Sequence, residues 1–466
     1  MVGVQPLPGS FRDPSGNVYQ LEGRIFRTVN DSFSQDFDFV TSTGLFQKLA
    51  TEGLLLPFEV VSSDILGHSD PKPRYVLEAP RLPFISYPYE WSFPALKAAA
   101  LLHLRVHLQS LAAGVTLSDA SAYNIQFQGN QPVFIDHLSF RRYQSGEMWV
   151  GHRQFCEQFL NPLLLRAFFG ISHNAWYRGT QEGITTGEIR KLLKWRHCWK
   201  WNVLTHVVLQ DLFQKTSTKR TKSLQDHSLA KASFPLSSFK AMLEKMFHWI
   251  SQLTPLNKGE STWGDYDKTC SYSSMEIQSK KQFILEFSQT VQPTLVWDFG
   301  CNTGEYSEAA LEGGARNVVG FDFDQGALDG SYYRAAERRL AFQALFMDAA
   351  NPSPSQGWNG HERESLQSRA SADAVLALAL VHHLAIARNI PLVQVVSWLI
   401  TLAPQGVIEF VPKNDPMVQE LLSLRQDIFP DYTAEHFMAL LKEKAVIIKN
   451  ETISKSGRVL VWFKRM

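Results

Sequence analysis

The chain has 466 residues, of which 44% are hydrophobic, so it can bury a large core, and its length favours two or three domains. Lysine and arginine number 46 and aspartate and glutamate 45, which leaves no global charge to attract nucleic acid or acidic lipid. The four cysteines form no Cys-x-x-Cys pair, which argues against a zinc ribbon and a disulfide framework. No apolar run reaches the roughly 20 residues that span a bilayer, and the first residues lack a signal-peptide pattern. These features predict a cytoplasmic protein with neither membrane nor nucleic acid as partner and with no metal site.

The first half of the chain predicts an α+β arrangement followed by helices. Residues 17–140 contain strand-like runs and a long helical run that stops at Gly114. Apolar and aromatic residues then recur at helical spacing over about 149–215 and predict a helical continuation of the same domain. The polar and basic residues of 215–233 are typical of a linker or an exposed loop.

Strands and helices alternate regularly in the second half of the chain. The apolar strands are rich in β-branched residues, and such alternation predicts a doubly wound, mostly parallel sheet with helices on both faces. A polar, broken segment over 351–371 predicts an excursion on the surface. We therefore divide the chain into a first domain, 1–215, a linker and connecting helix, 216–260, and a second domain, 261–466.

The segment 189–202 interleaves basic residues with tryptophans. Such a mixture is typical of surfaces that bind RNA or single strands. At helical spacing, however, tryptophans more often pack into a core while lysine and arginine extend outward. We therefore expect the tryptophans of this segment to be buried.

Residues 298–300 are Asp-Phe-Gly, a tripeptide whose aspartate binds magnesium in protein kinases. A kinase needs an Asp and an Asn in a catalytic loop about a dozen residues upstream, and neither residue is present there. The segment is instead an apolar strand that ends in Asp298, with Gly300, Asn302 and Gly304 opening a helix. Glycines let a ligand approach the backbone, and a helix N-terminus offers free N–H groups. The pattern predicts a nucleotide-like cofactor at the carboxyl end of the first strand.

The acid two residues before the first glycine would repel a pyrophosphate but suits a cationic amino acid ligand. With Asp298, Gly300 and Gly304, the turn resembles the first motif, D-x-G-x-x-x-G, of the class I S-adenosylmethionine-dependent methyltransferases. The resemblance covers roughly residues 263–466. It implies S-adenosylmethionine as cofactor and a Rossmann-like sheet, with Asn302 in the cofactor-binding turn.

The resemblance extends to the second and third strands. It implies that Asp322, 24 residues after Asp298, binds the ribose hydroxyls and that Phe323 flanks the adenine. It also implies that Asp348, at the end of the third strand, lies near the adenine amino group. Taken alone, Asp322 is more typical of a strand-end turn and Asp348 of a helix cap, but the order of the motifs favours the cofactor roles.

The fourth predicted strand ends in two histidines, as it does in many members of this family. His382 or His383 is placed in the cleft, where it could act as a base for an acceptor hydroxyl or an acidic carbon. Either histidine could instead cap the next helix or pack in the cleft. The strand lacks the Asn/Asp-Pro-Pro-aromatic tetrapeptide of enzymes that methylate amino groups of bases and amides. This favours a hydroxyl or another non-nucleobase group as acceptor, on a small molecule or a protein.

Two further predictions concern the surroundings of this cleft. The resemblance places Trp263, Tyr266 and Tyr272 as a flap over the cofactor, although their spacing suits plain packing equally well. Glu409, at the end of the fifth predicted strand, either faces the acceptor or is a solvated strand end.

A second resemblance lies in residues 117–140. Asp119 and Asn124 have the D-x-x-x-x-N spacing of a kinase catalytic loop, a hairpin follows, and Asp136 comes 12 residues after Asn124. This resembles the protein-kinase and aminoglycoside-phosphotransferase fold, in which these positions are the loop acid and two metal ligands. The flanking residues differ from the family pattern, and the glycine-rich loop and strand lysine are missing, so the resemblance implies a degenerate kinase-like domain. Otherwise Asp119 caps a turn and Asp136 ends a strand.

The sequence therefore predicts a methyltransferase domain preceded by a kinase-like module that recognises or delivers substrate. Two alternatives stay open. One is a non-catalytic protein whose methyltransferase-like sheet senses the cofactor. The other is a bifunctional phosphotransferase and methyltransferase.

Overall fold

The computed structural model of the chain describes residues 6–67, 72–211, 234–256, 274–369, 371–423 and 425–466. The predicted linker over 215–233 lies outside the described residues. So do Trp263, Tyr266 and Tyr272, and the flap that they were predicted to form stays a prediction.

The chain begins with a four-stranded antiparallel sheet and two helices. The strands are β1 (Val18–Leu21), β2 (Arg24–Val29), β3 (Glu59–Val61) and β4 (Tyr75–Ala79), and the helices are α1 (Asp31–Ser42) and α2 (Leu45–Thr51). The strands lie in the order β1, β2, β4, β3. The α+β prediction is confirmed for this part. Helix α1 was not predicted, because its buried apolar residues are few, Phe37 and Val40, and leave a weak periodicity.

A long helix, α3 (Phe93–Ala112), follows and forms the centre of the first half. Proline at its second position is compatible with a helix start, and Gly114 beyond its end has φ +72°, a conformation that favours glycine. Two small antiparallel pairs come next. They are β5 (Val115–Leu117) with β8 (Phe140–Arg142), and the hairpin of β6 (Ile125–Gln128) and β7 (Gln131–Phe134). The predicted long helix and hairpin are confirmed.

Helices complete the first half. They are α4 (His152–Phe155), α5 (Asn161–Phe169), α6 (Asn174–Thr180), α7 (Thr186–Leu192), α8 (Trp195–Cys198), α9 (Trp201–Val203) and α10 (Leu236–Gln252), with π-helical turns at Cys156–Leu160 and Leu204–Val208. Helix α10 packs against α3. The predicted helical continuation is confirmed as far as the description extends. None of the helices in the described ranges is both long enough and apolar enough to cross a bilayer.

The prediction that the tryptophans of the 189–202 segment pack into a core is wrong for all three. Trp195, Trp199 and Trp201 are 77%, 80% and 71% exposed. The inward position of α8 is taken by His197, which is buried. Helical spacing locates a common face but does not show which face meets the core.

The second half is built on a seven-stranded sheet. Its strands are β9 (Leu295–Phe299), β10 (Asn317–Asp322), β11 (Phe342–Phe346), β12 (Ala374–Ala377), β13 (Gln405–Phe410), β14 (Ala445–Thr452) and β15 (Val459–Arg465). They lie in the order β11, β10, β9, β12, β13, β15, β14. The first five are parallel, and β15 is antiparallel to both its neighbours. The prediction of a mostly parallel α/β sheet is confirmed.

Helices connect these strands. They are α11 (Ser274–Val291), α12 (Glu305–Glu312), α13 (Gln325–Arg338), α14 (Leu392–Leu402), α15 (Pro416–Ser423) and α16 (Ala434–Lys442). From β9 the chain adds β10 and then β11 on one side of the sheet, and it then returns to add β12 on the other side of β9. The strand order therefore reverses between β9 and β12. A crevice forms at such a reversal in doubly wound sheets.

The first half of the chain packs directly on the sheet of the second. The Phe84 ring meets Trp297 edge-on at 5.7 Å and Phe321 at 6.1 Å, measured between ring centroids. Nearby, Arg166 Nη2 lies 2.7 Å from Asp329 Oδ2. One hydrophobic cluster contains buried residues from both halves. The predicted domain boundaries stay predictions, since the two halves share a core.

The segment between β11 and β12 also joins the two halves. Arg369 Nη1 donates to Glu90 Oε2 at 2.9 Å, and Nη2 donates to Glu90 Oε1 at 2.5 Å. Arg369 also donates to the carbonyl oxygen of Ile85 at 2.6 Å, and both charged side chains are buried. The predicted surface excursion is therefore wrong at Arg369, although Trp358 in the same segment is 72% exposed.

Candidate functional site

A cavity of about 400 Å³ lies at the carboxyl edge of the parallel strands, at the reversal of strand order between β9 and β12. Open α/β sheets bind their ligands at this position. The walls come from the turn after β9, from the ends of β10, β11 and β12, and from helix α11. The lining residues are Ile277, Lys280, Phe299, Gly300, Cys301, Asn302, Thr303, Glu305, Tyr306, Phe321, Asp322, Phe323, Met347, Ala349, Leu378, Ala379, Leu380 and His383.

The turn between β9 and α12 has a backbone that favours glycine. Gly300 has φ +75° and Gly304 has φ +82°, both in the left-handed region. A Cβ atom on Gly304 would also collide with the ring of Phe342. Asn302, between the two glycines, has φ +48°, which asparagine tolerates better than most residues. Gly300 and Asn302 line the cavity, and Gly304 fixes the start of α12 behind them.

Asp322 joins the end of β10 to this turn. Its Oδ2 accepts a hydrogen bond from the backbone N–H of Asn302 at 2.9 Å, and its Oδ1 accepts one from the N–H of Asp324 at 2.9 Å. Burial raises the pKa of Asp322 to about 6. The neighbouring Phe323 also lines the cavity and is 48% exposed. The ionisable carboxylate of Asp322 and the accessible ring of Phe323 thus lie in the same wall of the cavity.

Two other acids predicted to bind the cofactor lie outside the lining. Asp298 is buried and accepts a hydrogen bond from Ser307 Oγ at 2.6 Å, and burial raises its pKa to about 6. Asp348 accepts from the N–H of Ala350 at 2.9 Å and from Arg388 Nη2 at 2.9 Å. Both acids lie next to residues that line the cavity. They therefore lie beside the cavity wall and outside its lining.

The two adjacent histidines are in different positions. His383 lines the cavity at the start of the π-helical turn His383–Ala387. His382 is fully buried, and neither of its ring nitrogens has a hydrogen-bond partner among the described residues. Burial lowers the pKa of His383 to about 4 and also lowers that of His382. His383 is therefore neutral at physiological pH and presents an imidazole to the cavity.

Lys280 lines the cavity and forms a buried ion pair with Glu409, a pairing that was not predicted from the sequence. Lys280 Nζ donates to Glu409 Oε2 at 2.6 Å and lies 4.6 Å from the centre of the Tyr306 ring. The same carboxylate oxygen accepts from the N–H of Ala379 at 2.8 Å. Glu409 is fully buried, so the alternative of a solvated strand end is wrong, and its position facing the acceptor stays a prediction. Lys280 and its neighbour Lys281 cannot be told apart in the sequence. Only the folded structure shows that Lys281 is half-exposed and Lys280 is not.

One polar atom at the cavity wall lacks a partner. Asn302 lines the cavity, and its Oδ1 is buried with no hydrogen-bond partner among the described residues. A buried acceptor of this kind is costly unless a donor reaches it. The amide oxygen and the Asp322 carboxylate therefore suit a ligand that carries hydroxyl or ammonium donors. Nowhere in the described ranges do three or more His, Cys, Asp or Glu side chains cluster in a way that could hold a metal ion.

The polar residues of the kinase-like motif also come together, in the first half of the chain. Asn124 Nδ2 donates to Asp119 Oδ1 at 2.8 Å, and Ser139 Oγ donates to the same oxygen at 3.2 Å. Ser139 also contacts Asp136, whose other oxygen lies 2.7 Å from Arg27 Nη2. Burial, assisted by the Asp136 carboxylate, raises the pKa of Asp119 to about 6. Neither Arg27 nor Ser139 was predicted from the sequence, since neither belongs to the motif.

Solved structures similar to part of this chain include two methyltransferases. The N-methyltransferase NodS of Bradyrhizobium japonicum WM9, in complex with S-adenosyl-L-homocysteine, has a TM-score of 0.32 and 11% identity, covering 44% of this chain and 99% of NodS. The magnesium protoporphyrin IX methyltransferase ChlM of Synechocystis PCC 6803, with bound SAM, has a TM-score of 0.30 and 17% identity, covering 45% of this chain and 86% of ChlM. No protein-family model matches the chain.

A relative similar along the whole chain is the nodulation protein NoeA of Rhizobium meliloti (strain 1021). The two sequences are 44% identical over 469 residues, which cover 100% of this chain and 98% of the relative. The chain therefore belongs to the NoeA family of nodulation proteins.

Proposed function

We propose that this chain is an S-adenosylmethionine-dependent methyltransferase. The observation that carries the proposal is the wall formed by Asn302 and Asp322, which offers a partnerless buried amide oxygen and a carboxylate at the reversal of strand order. The glycines of the turn keep side chains away from that wall. Cys156, Cys198 and Cys301 are free thiols, which suits action in the reducing cytoplasm.

The lining residues fit the parts of this cofactor. Asp322 would accept hydrogen bonds from the ribose hydroxyls, Phe323 would flank the adenine, and Asn302 Oδ1 would accept from the ammonium of the amino acid end. Asp298 accepts a hydrogen bond from Ser307, and Asp348 accepts from Arg388 and from the backbone N–H of Ala350, so both acids connect elements beside the cavity. When bound, the cofactor supplies a methyl group that is already activated by the sulfonium. The chain itself has to align the acceptor and exclude water.

We assign His383 as the base for an acceptor hydroxyl. Its ring lines the cavity and is neutral at physiological pH, because burial lowers its pKa to about 4. His382 does not reach the cavity, since it is fully buried and lies outside the lining. We propose that the acceptor is a small-molecule hydroxyl or another non-nucleobase group.

Replacing His383 by Gln is expected to lower the rate of methyl transfer by about 100-fold or more, because general base catalysis contributes roughly 10²–10⁴-fold. The affinity for the cofactor should change little. His382→Phe is the matched variant, and it should keep most of the activity, since the His382 ring has no hydrogen bond to lose. Rates measured at saturating cofactor test this. Equal losses in the two variants would contradict the assignment of His383.

The affinity for S-adenosylmethionine is expected to fall by about tenfold between pH 7 and pH 5. The reason is that Asp322, with a pKa of about 6, is about nine-tenths protonated at pH 5. Only the ionised Asp322 can accept from both ribose hydroxyls, so binding strengthens as pH rises through 6 and is level above 7. Calorimetric titrations across this range, with thermal unfolding as a check on the fold, measure the effect. An affinity that is equal at pH 5 and pH 7 would exclude this role.

The function itself is tested with the full-length protein and methyl-labelled S-adenosylmethionine in fractionated cell extract. We expect label in a small-molecule or protein fraction, and none with Asp322→Ala. If the protein binds the cofactor tightly but labels no fraction, the non-catalytic sensing function gains support and the enzymatic one fails.

We propose further that the first half is a degenerate kinase-like module that holds substrate. The order of α3, β5, the Asp119 loop, the β6–β7 hairpin and Asp136 supports the likeness. The Asp136 carboxylate is already paired with Arg27 and Ser139, which speaks against phosphotransfer. Magnesium-dependent ATP binding that is lost in Asp136→Ala would favour the bifunctional alternative instead.

A further inference from the structure

Three indoles and several cations are exposed within one short segment of the first half of the chain. We call the side chains of Trp195, Trp199, Trp201, Lys194, Arg196 and Lys200 the basic tryptophan surface; all six are exposed. Over residues 189–210 the chain has five lysine or arginine residues and no acidic residue. The whole chain has a net charge of only +1, so this positive charge is local.

The outward position of these indoles is fixed by what lies on the inner side. The His197 ring stacks on Phe168 at 5.0 Å with an angle of 20° between the planes, and it meets Phe169 edge-on at 5.6 Å. Leu193 and Val203 are also buried. The chain thus buries an imidazole and leaves the larger, more apolar indoles in solvent, which is the reverse of ordinary burial preferences. An exposed apolar patch with a polar rim marks an interaction surface.

We propose that the basic tryptophan surface docks the protein on an anionic lipid surface. Tryptophan side chains favour the boundary between hydrocarbon and head groups, because the ring is apolar and its N–H can hydrogen-bond. Lysine and arginine close to that boundary are attracted by acidic head groups, and the two contributions add. The contact is peripheral, since the described helices include no membrane span.

The same residues could in principle stack on a single-stranded nucleic acid. Lipid is favoured because Leu192, beside the indoles, is 39% exposed and adds an aliphatic contact that base stacking would not use. This inference does not depend on the proposed methyltransferase activity.

The test uses the full-length protein and sedimentation with vesicles, either of phosphatidylcholine alone or of phosphatidylcholine with phosphatidylglycerol. We expect binding to the anionic vesicles, weaker at high salt, and little binding to the neutral ones. The triple variant W195A/W199A/W201A should lose at least about tenfold in partitioning, since apolar burial contributes much of interfacial binding. The triple variant K194Q/R196Q/K200Q should lose a similar factor on anionic vesicles together with most of the salt dependence.

Trp358→Ala is the matched control, because Trp358 is equally exposed at 72% but lies outside this surface. It should bind as the original protein does, and unchanged thermal unfolding would show that every variant is folded. The proposal is overturned if the original protein does not sediment with anionic vesicles, or if the tryptophan variant binds them as well as Trp358→Ala does. Tight binding of a fluorescent single-stranded oligonucleotide without vesicle binding would assign the surface to nucleic acid.

Discussion

The variant Glu90→Gln is expected to lose about 3–5 kcal/mol of stability, the range found when one member of a buried ion pair is removed. Arg369 donates two hydrogen bonds to the Glu90 carboxylate, and both side chains are buried between the two halves of the chain. Glutamine keeps the shape but removes the charge, so the guanidinium stays buried without its counter-ion. Chemical denaturation monitored by circular dichroism would measure the loss.

Two further variants separate this effect from a general effect of losing a carboxylate. Glu78→Gln removes the partner of Arg24 in a solvent-exposed pair with similar two-pronged geometry and should have little effect, since exposed pairs contribute weakly. The double variant E90L/R369M removes both charges and should recover much of the stability. If Glu90→Gln is no worse than Glu78→Gln, the pair does not hold the two halves together.

The variant Asp322→Ala is expected to weaken the binding of S-adenosylmethionine by about 100-fold or more. Hydrogen bonds to a charged acceptor contribute about 1.5–3 kcal/mol each, and two ribose hydroxyls would lose theirs. The carboxylate also accepts the N–H groups of Asn302 and Asp324, so the turn loses support as well. Isothermal titration calorimetry gives the affinity directly.

Asp431→Ala is the matched control, because Asp431 is an exposed acid outside the cavity lining. It should bind the cofactor with the original affinity. Thermal unfolding of Asp322→Ala must stay cooperative for its affinity to be interpreted. Unchanged binding by a folded Asp322→Ala protein would remove the ribose role from this residue.

The second half of the chain could be predicted from sequence because its signals are local. Apolar strands that end in an acid and glycines that open a helix lie within a few residues of one another, and α12 begins directly after Gly304, as the sequence indicated. Gly300, Asn302, Asp322 and Phe323 all line the cavity, as expected of residues at the carboxyl ends of parallel strands.

Features that depend on distant parts of the chain could not be predicted. The Glu90 and Arg369 partners are 279 residues apart in sequence, and neither residue by itself indicates burial. Lys280 and Glu409 are 129 residues apart, and their pairing turns a predicted strand-end acid into a buried one. The indoles over 195–201 were misassigned because helical periodicity does not tell which side faces the core.

The proposed cofactor site can be tested by a crystal structure of the full-length protein with S-adenosylhomocysteine. We expect one molecule of this product in the cavity, with its ribose hydroxyls on the Asp322 carboxylate and its ammonium within hydrogen-bond distance of Asn302 Oδ1. A cavity that stays empty at saturating concentration, or a ligand bound elsewhere in the chain, would contradict the proposed site.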